Sequence, residues 1–316
     1  QLYREALEIR RRLAQETPVA YEPDLASSCN NLADLLDSIN QKEEAEQLYR
    51  EALEIRRRLA QETPAAYEPD LASSCNNLAG LLDSINQKEE AEQLYREALE
   101  IRRRLAQETP AAYESDLADS FYNLAYLLNS INQKEEAEQL YREALEICRR
   151  LAQETPAAYE PDLAMSCNNL ACLLDDLNQK KKAEHLFREA LEIRRRLAQE
   201  TPAAYEPDLA SSCNNLACLL NSVNRKKKAE HLFREALEIR RRLARETPTA
   251  YEPDLARSYN NLACVLYALN QEEEAEQLFQ EALKIYCQLT KENPTAYEPD
   301  LTRCRNNLFA LFYDID

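Results

Sequence analysis

Cysteines and histidines are the residues of this 316-residue chain that could carry nucleophilic, redox or metal chemistry, and the chain has ten cysteines and two histidines. A nucleophilic thiol needs a base beside it, but His185 and His231 fall on a different predicted helix from the recurring cysteines. No two cysteines have C-x-x-C spacing, and two histidines are too few for a histidine-rich metal centre. We therefore predict no enzymatic activity, no cofactor and no metal site. The cysteines are expected to be small buried hydrophobes in a reducing compartment.

The composition excludes further classes of fold and of partner. The chain has a single glycine and a formal net charge of -18. Phosphate-binding loops and tight hairpin turns need glycines at fixed offsets, so nucleotide-binding α/β folds and all-β folds are not expected. The acidic balance argues against a nucleic-acid partner, and no apolar run reaches the roughly 18 residues that would span a membrane. No signal peptide is visible, and the cysteine usage predicts a cytoplasmic protein.

An internal repeat of 46 residues decides the architecture. The string QLYREALEI, or a close variant, begins at 1, 47, 93, 139, 185, 231 and 277. A fixed period of this size is typical of a solenoid, in which each unit packs on its neighbours. We therefore predict one solenoid domain over residues 1–316.

Each unit is predicted to contain two helices. In the first, leucines follow Pro23 at helical spacing until Asn40 and Gln41 interrupt the pattern. The second begins near Lys42 and ends before Pro64, and a proline-bounded linker leads to the next unit. The result is an all-α chain of about 14 helices, with roughly four-fifths of its residues helical. The first and last helices are unpaired, so we expect a fragment of a longer chain and possible head-to-tail self-association.

Small residues at fixed positions identify the kind of repeat. Ala33, Ala45 and Ala52 recur in every complete unit and would let helix backbones approach closely. Together with Cys29-Asn30-Asn31-Leu32 before them, they resemble the signature of the tetratricopeptide repeat family, with Asn40 in the place of the turn glycine. The 12 extra residues per unit resemble the extended repeats of kinesin light chain and of bacterial signalling proteins. The resemblance implies a right-handed superhelix whose first helices line a concave groove.

The positions that differ between units fall on one stripe of the first helix, as in a recognition surface. One polar position on that helix never varies: Asn31, Asn77, Asn123, Asn169, Asn215, Asn261 and Asn307. An asparagine amide both donates and accepts, so it could pair with the backbone of an extended peptide. Alternatively, these asparagines form structural hydrogen bonds between neighbouring repeats. Further groove candidates are Tyr122, Tyr126, Arg257, Tyr267 and Arg303. A clamp for a peptide carboxylate is less favoured, because the lysine that the family uses is missing.

Two kinds of basic run also recur. The arginine triples that begin at Arg56 are interpreted as a solvated helix face, supported by Glu54 four residues before Arg58. Two adjacent repeats carry a lysine triple where the others have acidic residues: Lys180, Lys181, Lys182, Lys226, Lys227 and Lys228. We predict that they form a basic ridge on which an acidic partner could dock.

Three functions remain open at this point. The first is a non-catalytic protein-interaction scaffold that binds an extended peptide or a helix in the concave groove. The second is a sensor or oligomerisation arm of a larger signalling protein, with an effector domain before Gln1. The third is a spacer whose near-identical repeats only set length.

Overall fold

The structure, a computed structural model, describes residues 1–313, in which fourteen α-helices and no strand occur. The helices are α1 (Leu2–Glu16), α2 (Pro18–Ser38), α3 (Lys42–Glu62), α4 (Pro64–Ser84), α5 (Lys88–Glu108), α6 (Pro110–Ser130), α7 (Lys134–Glu154), α8 (Pro156–Asp176), α9 (Lys180–Glu200), α10 (Pro202–Ser222), α11 (Lys226–Glu246), α12 (Pro248–Tyr267), α13 (Glu272–Glu292) and α14 (Pro294–Tyr313). The predicted all-α class and helix number are confirmed. None of the helices described is long and apolar enough to cross a membrane.

The helices form two compact units, one from Gln1 to Pro156 and one from Ala157 onward. We call them unit 1 and unit 2. Within unit 1, each helix from α1 to α6 packs against the helix that follows it in the chain. Within unit 2, the same pattern runs from α9 to α14. Within each unit, one to four residues connect consecutive helices, so neighbouring helices are antiparallel, as in a repeat of the predicted kind.

Alanines allow the helices to pack closely. Ala33, Ala45 and Ala52 are completely buried, as are their counterparts Ala79, Ala91 and Ala98. A larger side chain at such a point would collide with the facing backbone. Leucines from both helices of each pair fill the space around them, including Leu78 and Leu124, which are also fully buried.

The prediction of a non-helical linker between successive repeats is wrong. Helix α2 begins at Pro18, so only Thr17 separates it from α1, and Pro23 lies inside α2. The first proline occupies the first helical position, where its missing N–H leaves nothing unpaired. The second proline cannot bond the carbonyl of residue 19, but Val19 is 83% exposed and water can reach that carbonyl. A proline near an exposed helix start therefore does not end the helix.

The turn between the two helices of each repeat confirms the role predicted for Asn40. Its φ is 62°, in the left-handed region, and five further asparagines at the same repeat position share this conformation: Asn86, Asn132, Asn178, Asn224 and Asn270. The N–H of Gln41 bonds to the carbonyl of Leu36, and that of Asn40 to the carbonyl of Asp37. These two bonds form a Schellman cap. Asparagine tolerates this conformation better than other residues with a side chain, which is how a chain with one glycine makes six such turns.

The arginine triples form a solvated face only in part. Arg57 and Arg58 pair with Glu97 and Glu22 at the surface. The first arginine of each triple is instead buried in four repeats: Arg56, Arg102, Arg194 and Arg240. The Arg56 guanidinium donates to Ser74 Oγ at 2.7 Å and to the carbonyl of Asp70 at 3.0 Å. Burial lowers the pKa of Arg56 below its ordinary value. The prediction of solvent exposure is therefore wrong for this residue, because serine and backbone acceptors replace water.

Candidate functional site

The first helix of each pair exposes one side, which contains the constant asparagine and the varying position of Asp34. The varying position of Cys29 was expected on the same stripe and is buried instead. On α4, Asn77 is exposed, whereas Leu78 and Ala79 beside it are buried. On α2, Asn31 and Asp34 are exposed in the same way. We call this side the first-helix face and describe it separately for the two units.

In unit 1, the constant asparagines have free amides. Asn31 and Asn77 are exposed and Asn123 is half-buried, and among the described residues none of the three has a hydrogen-bond partner. The preceding asparagine, Asn30, bonds instead to Ser74 in the next repeat, at 3.1 Å. The three amides of unit 1 can therefore both donate to a ligand and accept from it.

In unit 2, the same asparagines connect neighbouring repeats. Asn215 Nδ2 donates to Asn168 Oδ1 at 3.0 Å. Asn261 donates to Asn214 at 2.9 Å, and Asn307 donates to Asn260 at 3.1 Å. Asn169 differs, since its Nδ2 atom is buried without a partner among the described residues. The structural role thus accounts for the donors of three asparagines in unit 2, and a peptide contact at the seven positions stays a prediction.

Aromatic rings lie beside one of the free asparagines of unit 1, Asn123. The Tyr122 ring stacks on Tyr126, with 6.3 Å between centroids, and lies 5.9 Å from Tyr141. Tyr126 is 56% exposed and projects from the first-helix face beside Asn123. By contrast, Phe121 and Tyr259, which occupy the repeat position of Cys29, are buried. A flat exposed ring beside amide groups is a suitable contact for a peptide side chain.

The only glycine in the chain lies on this face. In the first repeat, the Tyr49 hydroxyl donates to Asp34. One repeat later, Gly80 takes the place of Asp34, and the hydroxyl of the buried Tyr95 lies 3.5 Å from where a Cβ of residue 80 would be. Burial raises the pKa of Tyr95 to about 12. Gly80 therefore leaves a notch in the face, at the bottom of which lies the Tyr95 hydroxyl.

Filling this notch should stabilise unit 1. Gly80→Ala removes the conformational freedom of glycine from a helix interior without a steric clash, so we expect a gain of about 1 kcal/mol in the free energy of unfolding. Gly80→Asp should gain a similar amount by giving Tyr95 the acceptor that Tyr49 has. Denaturant unfolding measures both, and Asp34→Gly is the reciprocal control, with an equal loss expected. A lower stability of Gly80→Ala would show that the notch is smaller than its geometry indicates.

The basic candidates at the other end of the first-helix face are paired on their own helices. Arg257 bonds to Asp254 at 3.3 Å and Arg303 to Asp300 at 2.5 Å. The Tyr267 hydroxyl lies 3.5 Å from the carbonyl of Ala310. The arginines remain largely exposed, but each of them already has a carboxylate partner.

Seven of the ten cysteines lie at two repeat positions. Those at one repeat position are buried as predicted, namely Cys29, Cys75, Cys167 and Cys213. The second position is not buried, since Cys172 and Cys218 are exposed on the first-helix face of unit 2, and burial was the wrong expectation there. Among the residues that the structure describes, no group of histidine, cysteine, aspartate and glutamate could hold a metal ion.

The predicted basic ridge lies at the starts of α9 and α11. Lys180 pairs with Asp175, Lys182 donates to Gln179, Lys226 donates to the carbonyl of Ala268, and Lys227 pairs with Glu230. Lys181 and Lys228 are exposed and have no partner among the described residues.

Comparisons with known proteins give one family and a set of similar structures. The tetratricopeptide repeat model matches residues 25–63, 71–109, 117–155, 163–201, 209–244 and 255–294. The chain is similar to the crystal structure of BtubC (BKLC) from P. vanneervenii, with a TM-score of 0.65 and 28% identity over 79% of this chain and 92% of that one. It is also similar to a putative kinesin light chain with nearly identical TPR-like repeats from Podosopora anserina, with a TM-score of 0.55 and 19% identity over 71% of this chain and 98% of that one.

The search of curated proteins gives no match. The family match indicates no enzymatic family, and the matched segments each join a first helix to the second helix that follows it.

Proposed function

This chain belongs to the tetratricopeptide repeat family, and we propose that it is an interaction scaffold that binds an extended peptide on the first-helix face of unit 1. Proteins of this family are typically non-catalytic and bind protein or peptide partners. The proposal adds the place and the mode of binding. A cytoplasmic location is part of it and rests on the cysteine usage.

The single observation that carries the proposal is the difference between the two sets of asparagines. Asn31, Asn77 and Asn123 recur at one position of successive first helices, and their amides have no partner among the described residues. An extended peptide offers alternating N–H and carbonyl groups that such a row can bind. In unit 2, Asn215, Asn261 and Asn307 already donate to the neighbouring repeat. Unit 1 is therefore the better place for a peptide backbone.

The face also offers contacts for side chains. The exposed Tyr126 ring and the Gly80 notch lie on neighbouring first helices, α6 and α4. Aromatic rings carry much of the contact energy in protein interfaces. Because the helices hold these groups in place, little ordering of the protein accompanies binding.

The test begins with a random displayed-peptide library selected on the immobilised chain. A selected peptide is then synthesised with a fluorophore, and its affinity is measured by anisotropy. Asn31→Ala/Asn77→Ala/Asn123→Ala should weaken binding about tenfold, through the loss of exposed hydrogen bonds. Its thermal midpoint should hardly change, because these amides have no partner in the described residues.

The matched control is Asn215→Ala/Asn261→Ala/Asn307→Ala, which removes the same number of amides from unit 2. This variant should lose stability and keep its affinity, because its amides join neighbouring repeats. Equal affinity of the parent chain and the unit 1 variant would refute the proposed mode of binding.

The alternative of a sensor or oligomerisation arm rests on the sequence resemblance alone. It predicts an effector domain in the gene upstream of the codon for Gln1, which sequencing would reveal. The solved structures below 25% identity support the fold and not this role.

A further inference from the structure

A recurring salt bridge joins adjacent second helices. An arginine of one helix bonds to a glutamate 40 residues later, on the next second helix. The bridges are Arg4–Glu44 at 2.7 Å, Arg50–Glu90 at 2.6 Å, Arg96–Glu136 at 2.8 Å and Arg234–Glu274 at 2.6 Å. Each bridge spans the groove between the two helices it joins.

At this repeat position the bridge is absent between α9 and α11, although a second bridge of the same spacing, Arg195–Glu235 at 2.6 Å, still joins these two helices. The arginine is present as Arg188, but Lys228 occupies the place of the glutamate. Arg188 instead pairs with Glu184 on its own helix at 2.5 Å, and Arg225 bonds to the same carboxylate. Two cations, Arg188 and Lys228, thus occupy the positions at which an ion pair joins the helices at four other junctions.

A cavity of about 410 Å³ opens at this point. Leu191, Leu216 and Leu220 line its floor, and Arg188, Lys228 and His231 lie on its rim. Lys228 and His231 are exposed, and Glu192 is the one acidic residue that lines the cavity. At the equivalent place between α5 and α7, Glu136 occupies the position of Lys228 and pairs with Arg96 at 2.8 Å.

We propose that this groove is a second docking site, which takes an acidic peptide segment with one leucine-like anchor side chain. The leucine floor accepts the anchor, and Lys228 and Arg188 attract the flanking carboxylates. The rest of the chain is strongly acidic, with a net charge of -18, so an acidic segment is repelled elsewhere and directed to this local cationic point. The site lies between second helices and is independent of the first-helix face.

The probe is a short fluorescent peptide with one leucine flanked on each side by glutamates. Fluorescence anisotropy should show saturable binding to the full chain. Lys228→Glu restores the pattern of the four bridged junctions, so Arg188 can bridge the groove and the flanking carboxylates are repelled. We expect the affinity for the probe to fall at least about tenfold, with unchanged helicity by circular dichroism.

The matched control is Lys227→Glu. It changes the net charge by the same amount at the adjacent exposed residue, which pairs with Glu230 and does not line the cavity. It should keep the affinity within about twofold. A probe with alanine in place of leucine should bind at least about fivefold more weakly, because the anchor is lost.

A gain of function tests the same idea in unit 1. Glu90→Lys/Gln93→His gives the α3–α5 junction the rim residues of the α9–α11 junction, and Arg50 retains Glu46 as a partner at 2.9 Å. This variant should bind a second equivalent of the probe.

Four results would overturn the proposal: no binding by the parent chain, retention by Lys228→Glu, an equal loss in Lys227→Glu, or equal affinity for the alanine probe. If sedimentation shows that the parent chain self-associates through Lys228 and excludes the probe, the occupant is a second copy and the proposed acidic peptide is wrong.

Discussion

Replacing Ala125 with phenylalanine should lower the free energy of unfolding by at least about 3 kcal/mol, because it overfills a helix crossing. Ala125 lies on α6, is completely buried, and is the counterpart of Ala33 and Ala79 in the preceding repeats. The added ring has no cavity to enter, so α6 has to move away from the helices around it. Denaturant unfolding followed by circular dichroism measures the loss.

The chain itself offers the matched control. Phe309 occupies the same repeat position on α14, where it is 51% exposed. Phe309→Ala should therefore change the stability by less than about 1 kcal/mol. If Ala125→Phe is as harmless as Phe309→Ala, the alanine positions do not set the distance between the helices.

Removing the hydroxyl of Ser258 should destabilise unit 2 by about 3 kcal/mol, although serine to alanine is a small change. Ser258 is buried and accepts a hydrogen bond from the buried Arg240 guanidinium at 2.7 Å. The second acceptor, the carbonyl of Asp254, is 3.4 Å away. Without the hydroxyl, a buried cation is left with one long hydrogen bond. Chemical denaturation of Ser258→Ala measures this cost.

A second substitution should rescue the first. Arg240→Met in the Ser258→Ala background removes the buried charge and keeps most of the side-chain volume, so the double variant should regain most of the lost stability. Another repeat already has an uncharged residue at this position, the buried Cys148. Arg242→Ala is the surface control and should cost less than about 1 kcal/mol, because its pair with Glu206 is exposed. A double variant less stable than Ser258→Ala would show that the guanidinium itself stabilises the fold.

Much of the fold could be predicted because the sequence repeats. The 46-residue period, the helical spacing of the leucines and the recurring alanines were enough for the helix count and the repeat family. Asn40 was also predicted correctly at its turn, since few residues tolerate a positive φ. The position of Pro23 inside α2 was missed. A proline inside a helix leaves one carbonyl without its hydrogen bond, and the sequence does not show whether water can reach that carbonyl.

The candidate site could be predicted only in outline. The constant asparagines marked one position of the first helix, but the sequence does not distinguish Asn77 from Asn261. The structure does, because Asn261 donates to Asn214 across the repeat boundary and Asn77 has no partner among the described residues. The buried arginines were missed because their acceptors also lie on another helix. The recurrence of Arg56 together with Ser74 in the repeats could have indicated this pair.

The sequence by itself therefore determined the period, the number of helices and the alanines and leucines that face the core, because these follow from spacing along one chain. Only the tertiary structure decided which polar groups are free. A hydrogen bond or salt bridge depends on a partner about 40 residues away, brought close by stacking. For Arg188, the residue 40 positions later is Lys228 and not glutamate, so Arg188 pairs with Glu184 on its own helix instead.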